Sequence, residues 1–289
     1  MNAPVTNGRE NGPGPTKSPP DAFLPDIGNN FLLTSGTVVG REHVRLGRGN
    51  QDGVALHAGG ELIVAAVTDG CSSGRYSEVG ARLGAAHLAA WVPQLWRRLG
   101  GAGCRADVLA GEAADALLAF LYSVSGGLRP GGDELASTVA DYLLFGFLCA
   151  VVDRERAVVF GIGDGLYSLN GAATLLDPGP ENAPDYLAYR LLGQRGRDIR
   201  PRVHLAVPTA EVRSLLVGTD GLADLVARAD EPLRDGGRQG GLEQFETGPL
   251  VLRNGSQVHK RLTVIGELNR RLRDDTTLAL LRWREGVGP

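Results

Sequence analysis

Two apolar stretches of this chain end in the same three residues, Thr-Asp-Gly. They are residues 62–70 and 215–221, and each has the composition of a buried β-strand. Two further acidic elements stand where other predicted strands begin, at Asp52 and at the pair Asp274 and Asp275. Strand ends are rigid, so they can bring carboxylates from distant parts of the chain together. These aspartates are therefore the first candidates for a functional site.

Carboxylates that gather without basic partners repel one another, and a hard divalent cation removes that repulsion. Mg²⁺ and Mn²⁺ prefer oxygen ligands, and a glycine after an aspartate lets the backbone carbonyl approach the ion. Two such ions can hold a hydroxide nucleophile and polarise a phosphoryl group. A single Asp-Gly is more often an ordinary turn. The metal interpretation therefore depends on the joint occurrence of four acidic strand junctions.

The elements that must position these residues can be predicted from apolar spacing. Short β-branched or leucine-rich runs predict nine strands, at 31–39, 53–57, 61–68, 142–152, 157–162, 166–169, 202–207, 212–218 and 276–283. Helical spacing predicts four helices, at 77–99, 106–124, 222–228 and 257–272, the first with an apolar face of Val79, Leu83, Ala86 and Ala90. Two long helices in succession, followed by several strands, indicate an α+β fold with antiparallel sheets.

Composition excludes several classes of protein. The chain has 289 residues, and its net charge of -3 argues against a dedicated nucleic-acid binder. It contains no run of about 18 apolar residues, so no membrane span is expected. Three scattered cysteines and a polar start predict a cytoplasmic protein without a disulfide framework. Residues 1–30 are predicted to be a disordered tail, and residues 31–286 one catalytic domain.

The acidic junctions belong to a longer series of motifs. In order along residues 36–283, that series resembles the type 2C family of metal-dependent protein serine/threonine phosphatases. The opening segment around Gly40, His43, Gly47 and 50–52 is similar to a bacterial subgroup of that family. The segments that follow resemble the family's Asp-Gly motif (67–70), Gly-Thr-Thr segment (137–138), Gly-Asp-Ser motif (160–165), Ser-Asp-Gly-Leu motif (215–222) and closing Asp-Asn-x-Thr motif (274–277).

The resemblance implies a central antiparallel β-sandwich flanked by helices on both faces, in four layers. It implies two Mn²⁺ or Mg²⁺ ions at one end of the sandwich, bridged by Asp69, with a carbonyl ligand from Gly70. Asp220 and Asp275 would bind the first ion, and Asp52 would act at the second. A hydroxide held by the ions would attack the phosphomonoester directly, which makes Asp69, Asp220 and Asp275 the catalytic set.

Several positions depart from the family's pattern. Members of the family usually have a phosphate-binding arginine at the position that Gly47 occupies here. The candidate phosphate-binding residues of this chain are therefore Arg45 and Arg48, on either side of it. Cys71 stands where some members have a histidine that is proposed as the general acid. Asp133 is the candidate ligand for a third metal ion, although it lies closer to the Gly-Thr-Thr segment than is usual.

The leading hypothesis is a cytoplasmic, monomeric phosphatase for phosphoserine and phosphothreonine in a protein substrate of a serine/threonine kinase pathway. An alternative is a non-catalytic regulator on the same fold that binds a kinase or a phosphoprotein. The displaced arginine and Gln51, which replaces a common acidic residue, motivate that alternative. A third possibility, if the resemblance misleads, is an unrelated metal-dependent phosphoesterase for small molecules.

Overall fold

Ten strands form two antiparallel sheets that face each other. The computed structural model describes residues 26–128, 134–179, 184–193, 199–232, 237–238, 240–248, 251, 254–268 and 271–284. Sheet I has the strand order β1 (Phe31–Val38), β10 (Thr276–Trp283), β9 (Ser214–Gly218), β6 (Gly165–Leu169) and β7 (Ala172–Leu176). Sheet II has the order β2 (Gly53–Gly59), β3 (Leu62–Gly70), β4 (Phe145–Val152), β5 (Arg156–Ile162) and β8 (Arg202–Pro208).

Helices cover the outer faces of both sheets. The α-helices are α1 (Arg41–Arg45), α2 (Ser77–Arg98), α3 (Ala106–Leu128), α4 (Leu135–Thr138), α5 (Ala223–Ala227), α6 (Glu243–Glu246) and α7 (Ser256–Thr263). Helices α2 and α3 share one apolar core with the outer face of sheet II, and α7 shares another with sheet I. A third core, which includes Ile63, Val67 and Leu215, lies between the sheets. The expected α+β class and four-layer sandwich are confirmed.

Strand pairing brings the acidic junctions to one end of the sandwich. In sheet II, Gly53 pairs with Thr68, so the adjacent residues Asp52 and Asp69 are neighbours. In sheet I, Gly218 of β9 pairs with both Leu166 and Leu278, so the segments before β6, after β9 and before β10 also meet. The register of two sheets therefore gathers carboxylates that are separated widely in the sequence.

All nine predicted strands are present, but the predictions missed β7 and placed the start of β4 three residues too early. Strand β7 is almost entirely exposed, so it lacks the apolar alternation that marks a half-buried strand. Residues 142–144, predicted as the start of a strand, instead end a π-helical turn at Val139–Leu143 and its cap. The short helix α1 was also missed. At five residues, it is too short for a periodic signal.

The predicted apolar face of α2 is wrong. Leu83 is 37% exposed, and Ala86 and Ala90 are exposed as well. The buried side instead carries small residues, including Gly80 and Gly84, because the helix approaches sheet II very closely. A pattern of glycine and alanine has little hydrophobic contrast, so periodicity alone favoured the larger side chains on the solvent side.

The close approach of α2 predicts opposite effects for two Gly→Ala substitutions. A Cβ atom on Gly84 would lie 2.4 Å from Cζ of the buried Phe145, whereas a Cβ on Gly111 in α3 would meet nothing within 4 Å. We expect Gly84→Ala to lower the free energy of unfolding by about 1–3 kcal/mol through overpacking. Gly111→Ala should raise it by up to about 1 kcal/mol. Urea unfolding of both variants measures the difference, and equal effects would contradict this packing.

Residues just before the predicted boundary at residue 31 pack against the domain. Residues 1–25 of the predicted tail lie outside the described residues. Ile27–Asn29 form a 3₁₀ turn, and Ile27 is fully buried in the core between the sheets. The single described helix that is long and apolar enough to cross a membrane is α3, by length and composition only. One face of α3, including Leu117 and Leu121, packs into the core shared with α2.

Candidate metal centre

Six aspartates surround one cavity at the end of the sandwich. The cavity has a volume of about 120 Å³. Its lining residues are His43, Asp52, Asp69, Gly70, Cys71, Ser72, Asp164, Pro184, Tyr186, Asp220, Asp274 and Asp275. In the part of the chain that the structure describes, no lysine or arginine lines it. Asp52, Asp69, Asp220 and Asp275, identified separately in the sequence, are thus brought together, with Gly70 beside them.

The carboxyl groups in the cavity raise one another's pKa. Burial raises the pKa of Asp69 well above its usual range, and the charges of Asp52, Asp220, Asp164 and Asp274 raise it further. Burial and Asp275 raise the pKa of Asp52 in the same way. The pKa of Asp220 rises to about 6, mainly through burial, although a hydrogen bond with Asp69 opposes the rise. The cavity therefore holds an uncompensated concentration of acidic groups.

Asp52 is held by threonines at the ends of two strands of sheet I, Thr219 just after β9 and Thr277 at the start of β10. The Thr219 hydroxyl donates a hydrogen bond to Asp52 Oδ2 at 3.0 Å, and Thr277 also bonds this carboxyl group. Thr219 is itself fixed, because its Oγ1 accepts the Thr277 backbone N–H at 3.0 Å. Asp52 belongs to the sheet II side, so these bonds join the two sheets at the site.

The two adjacent aspartates before β10 have different surroundings. The Asp275 carboxylate accepts hydrogen bonds from Gly40 N at 2.7 Å, Gln51 N at 2.6 Å and His43 Nδ1 at 2.8 Å. Asp274 is exposed toward the cavity, and its charge raises the pKa of Asp69 and Asp220. Sequence reasoning assigned a metal to Asp275. However, Asp274 occupies the first position of the closing motif, a signal that could have identified it.

Two glycines of the motifs allow the backbone segments to meet. A Cβ atom on Gly70 would lie 2.5 Å from the Gln51 carbonyl oxygen, and one on Gly221 would lie 2.1 Å from that of Asp275. Any larger residue at either position would push the strand ends apart. The Gln51 side chain is held by hydrogen bonds, because its Nε2 donates to Ser77 Oγ at 2.8 Å and to Gly74 O.

The two candidate phosphate-binding arginines differ in what they contact. Arg45 forms an ion pair with Glu42 at 2.9 Å, and 74% of its side chain is exposed. Arg48 Nη1 donates to the backbone carbonyl of Ser72, a residue that lines the cavity. Arg48 is therefore the one that reaches the rim of the site.

Other residues in the cavity were not among the predicted metal ligands, although the sequence predicted a structural or supporting role for Asp164. Tyr186 lines the wall, and burial raises its pKa, with a hydrogen bond to Cys71 adding to the rise. Asp164 follows β5, and its pKa is also raised by burial. His43 lines the cavity through its contact with Asp275. Asp133, the predicted third-metal ligand, lies outside the described residues.

The donor set is suited to hard divalent cations. It consists mainly of carboxylate oxygens whose pKa values are raised first by burial and then by the neighbouring carboxylates, and a bound cation would offset both effects. One ligand atom each from His43, Asp274 and Asp275 also lie within 4.8 Å of one another. The residues present therefore fit the divalent metal ions that the motifs imply.

Comparisons with known proteins agree on the architecture. A structure of a C. elegans sex determining protein has a TM-score of 0.56 and 12% identity, over 88% of this chain and 65% of that chain. Stp1, a serine/threonine phosphatase from Staphylococcus aureus, has a TM-score of 0.50 and 14% identity, over 86% and 94%. A serine-threonine phosphatase 2C from Toxoplasma gondii has a TM-score of 0.50 and 16% identity, over 93% and 98%.

These structural similarities show the fold, and the sequence itself shows the family. No curated protein sequence matches the chain. The family model described as protein phosphatase 2C matches residues 39–262, which contain Asp52, Asp69 and Asp220. With that match, the sandwich and its acidic cavity, the chain belongs to the protein phosphatase 2C family.

Proposed function

We propose that this protein is an active, metal-dependent phosphatase that hydrolyses phosphoserine and phosphothreonine in protein substrates. The observation that carries the proposal is the convergence of six aspartates on one cavity without a lining lysine or arginine among the described residues. A non-catalytic regulator would gain nothing from this costly set of buried carboxyl groups. The bacterial subgroup remains a prediction, based on the opening segment alone.

We assign the metal ligands within the cavity as follows. Asp69 lies between the other acidic groups, and both Asp52 and Asp220 raise its pKa, so it suits a bridging position. Asp220 and Asp274 would hold the first ion, and Asp52 the second, with the Gly70 carbonyl beside them. When bound, two divalent ions activate water and polarise a phosphate ester. Asp275 positions the loop between Gly40 and Gln51 by accepting both of their backbone N–H groups.

The remaining expectations extend this proposal. A substrate from a serine/threonine kinase pathway is supported by the family, and a cytoplasmic location by the scattered cysteines. A monomer is the simplest arrangement for one catalytic domain. A third metal ion at Asp133 is supported by its place before the motif at 137–138.

The direct test is an assay of the purified protein with a phosphothreonine peptide and an aryl phosphate. We expect phosphate release with Mn²⁺ or Mg²⁺ and none after treatment with a chelator, because the bound ions would supply the activated water that attacks the phosphate ester. Nucleotides and sugar phosphates in the same assay separate a protein phosphatase from a small-molecule phosphoesterase. Tight binding of the phosphopeptide without release of phosphate would contradict the proposal and favour a regulator.

The contacts of the two arginines predict different effects on substrate use. Arg48→Ala should lower kcat/KM for the phosphopeptide by about 10- to 100-fold, since a charge-assisted hydrogen bond contributes roughly 1.5–3 kcal/mol. Arg45→Ala should have a smaller effect, because Glu42 already pairs with that guanidinium. Arg98→Ala, at the exposed end of α2, serves as the control. Steady-state kinetics check the order, and a larger loss in Arg45→Ala would reverse the assignment.

A further inference from the structure

His43 is a buried imidazole that faces the acidic cavity and has no part in the chemistry described so far. Only 6% of the residue is exposed, and it lies among the residues that line the cavity. Its Nδ1 is 2.8 Å from Asp275 Oδ2. Asp275 is also the acceptor for two backbone N–H groups, from Gly40 and Gln51, so it acts here as an acceptor for the ring N–H as well.

This contact determines which ring nitrogen is free. With its proton on Nδ1, the neutral imidazole carries its available lone pair on Nε2. Among the described residues, Nε2 has no hydrogen-bond partner, and it is not fully shielded from solvent. An unpartnered acceptor nitrogen on a largely buried ring, one of whose nitrogens lies within 4.8 Å of an Asp274 carboxylate oxygen, is an arrangement that a ligand would complete.

The arrangement is one that metal-binding histidines share. Such histidines almost always donate their second ring N–H to a carboxylate, which fixes the tautomer and the ring orientation. We propose that His43 Nε2 is a nitrogen ligand of the divalent metal centre, next to Asp274, with Asp275 as the carboxylate that orients it. This inference rests on the proposed function, because it concerns the same cavity.

A nitrogen ligand would change the metal preference of the centre. Mg²⁺ favours oxygen ligands and water, whereas imidazole suits later first-row transition ions. We therefore expect the wild-type protein to bind Mn²⁺ and Co²⁺ more tightly than Mg²⁺. Removing the imidazole should lower Mn²⁺ affinity by at least about tenfold and reduce the preference over Mg²⁺.

The test is the electron spin echo modulation of protein loaded with one equivalent of Mn²⁺. Coordinated imidazole gives a ¹⁴N modulation, and ¹⁵N-labelling of histidine should change its frequency in the wild-type protein. His43→Asn should lose the modulation, since the asparagine amide can keep an N–H donor toward Asp275 while lacking Nε2. His57→Asn on β2, outside the cavity, is the matched control and should retain the modulation. Calorimetric titration with Mn²⁺ and Mg²⁺ gives the affinities.

The outcomes separate this inference from the proposed function. If the protein binds Mn²⁺, and Asp69→Asn weakens that binding, but no nitrogen modulation appears, His43 is not a ligand and the metal centre remains. If the protein binds no divalent ion, or Asp69→Asn binds as tightly as wild type, the proposed centre itself is wrong. The labelling experiment uses the unaltered protein, so a folding defect in His43→Asn leaves the test decisive.

Discussion

Replacing Asp69 with asparagine should abolish metal-dependent phosphate release and, at the same time, stabilise the metal-free protein. Asp69 is the carboxyl group whose pKa is raised by the largest number of neighbouring aspartates. The Asp69 carboxylate is therefore the one best placed to bind two cations. Losing a bridging ligand should lower kcat by at least about 10³-fold, the scale on which removal of preorganised charge stabilisation acts.

The expected gain in stability of the metal-free Asp69→Asn variant has a separate physical cause. In the metal-free protein the Asp69 carboxylate is buried among like charges, so its ionised form opposes folding. The neutral amide of similar shape removes that repulsion, and the free energy of unfolding near pH 8 should rise. Added Mn²⁺ should stabilise the wild-type protein but not the variant, because binding to the native state adds stability.

Phosphopeptide kinetics measure the expected loss of activity, and thermal unfolding with and without Mn²⁺ measures the expected change in stability. Asp107→Asn, at the exposed start of α3, is the matched control and should change neither activity nor the response to metal. A variant that is inactive because it is misfolded would be less stable than wild type, which is the opposite of the expected result. Retained activity in Asp69→Asn would remove this residue from the centre.

Local patterns in the sequence were sufficient to identify the strand ends that form the site. Residues 62–70 and 215–221 each combine a buried strand with a terminal Thr-Asp-Gly, and both aspartates line the cavity. Carboxylates that follow strands are fixed by the sheet, so no long-range information was needed to nominate Asp69 and Asp220. The same local pattern placed Asp52 and the pair before β10 at strand junctions, and the resemblance to a known family then implied their roles at the metal ions.

The different environments of Asp274 and Asp275 could not be derived from local pattern. They depend on hydrogen bonds to Gly40, His43 and Gln51, from the opposite end of the chain. The register of β1 with β10, which pairs Val38 with Thr276, brings that loop beside the two aspartates. Asp274 and Asp275 look alike in the sequence. Only the contact of this loop with the start of β10 gives the Asp275 carboxylate its three hydrogen-bond donors.

The second large effect is a dependence of metal-free stability on pH that runs opposite to ordinary acid denaturation. Burial raises the pKa of Asp52 and Asp69, and that of Asp220 to about 6. Between an unfolded pKa near 4 and the native value, the native state binds more protons than the unfolded state. The free energy of unfolding contributed by these groups is therefore complete below about pH 4 and falls as the pH rises.

The contribution of one group can be isolated by comparing the wild-type protein with Asp220→Asn in urea between pH 5 and pH 8. The wild-type protein should lose about 1.4 kcal/mol more than the variant over this range, since the one pH unit between pH 5 and the native pKa of about 6 corresponds to about 1.4 kcal/mol. Mn²⁺ should reverse the loss at pH 8, because a cation binds the deprotonated carboxylates. Parallel profiles for the two proteins would mean that burial and the neighbouring aspartates do not raise the pKa of Asp220, which would contradict the acidic environment assigned to it.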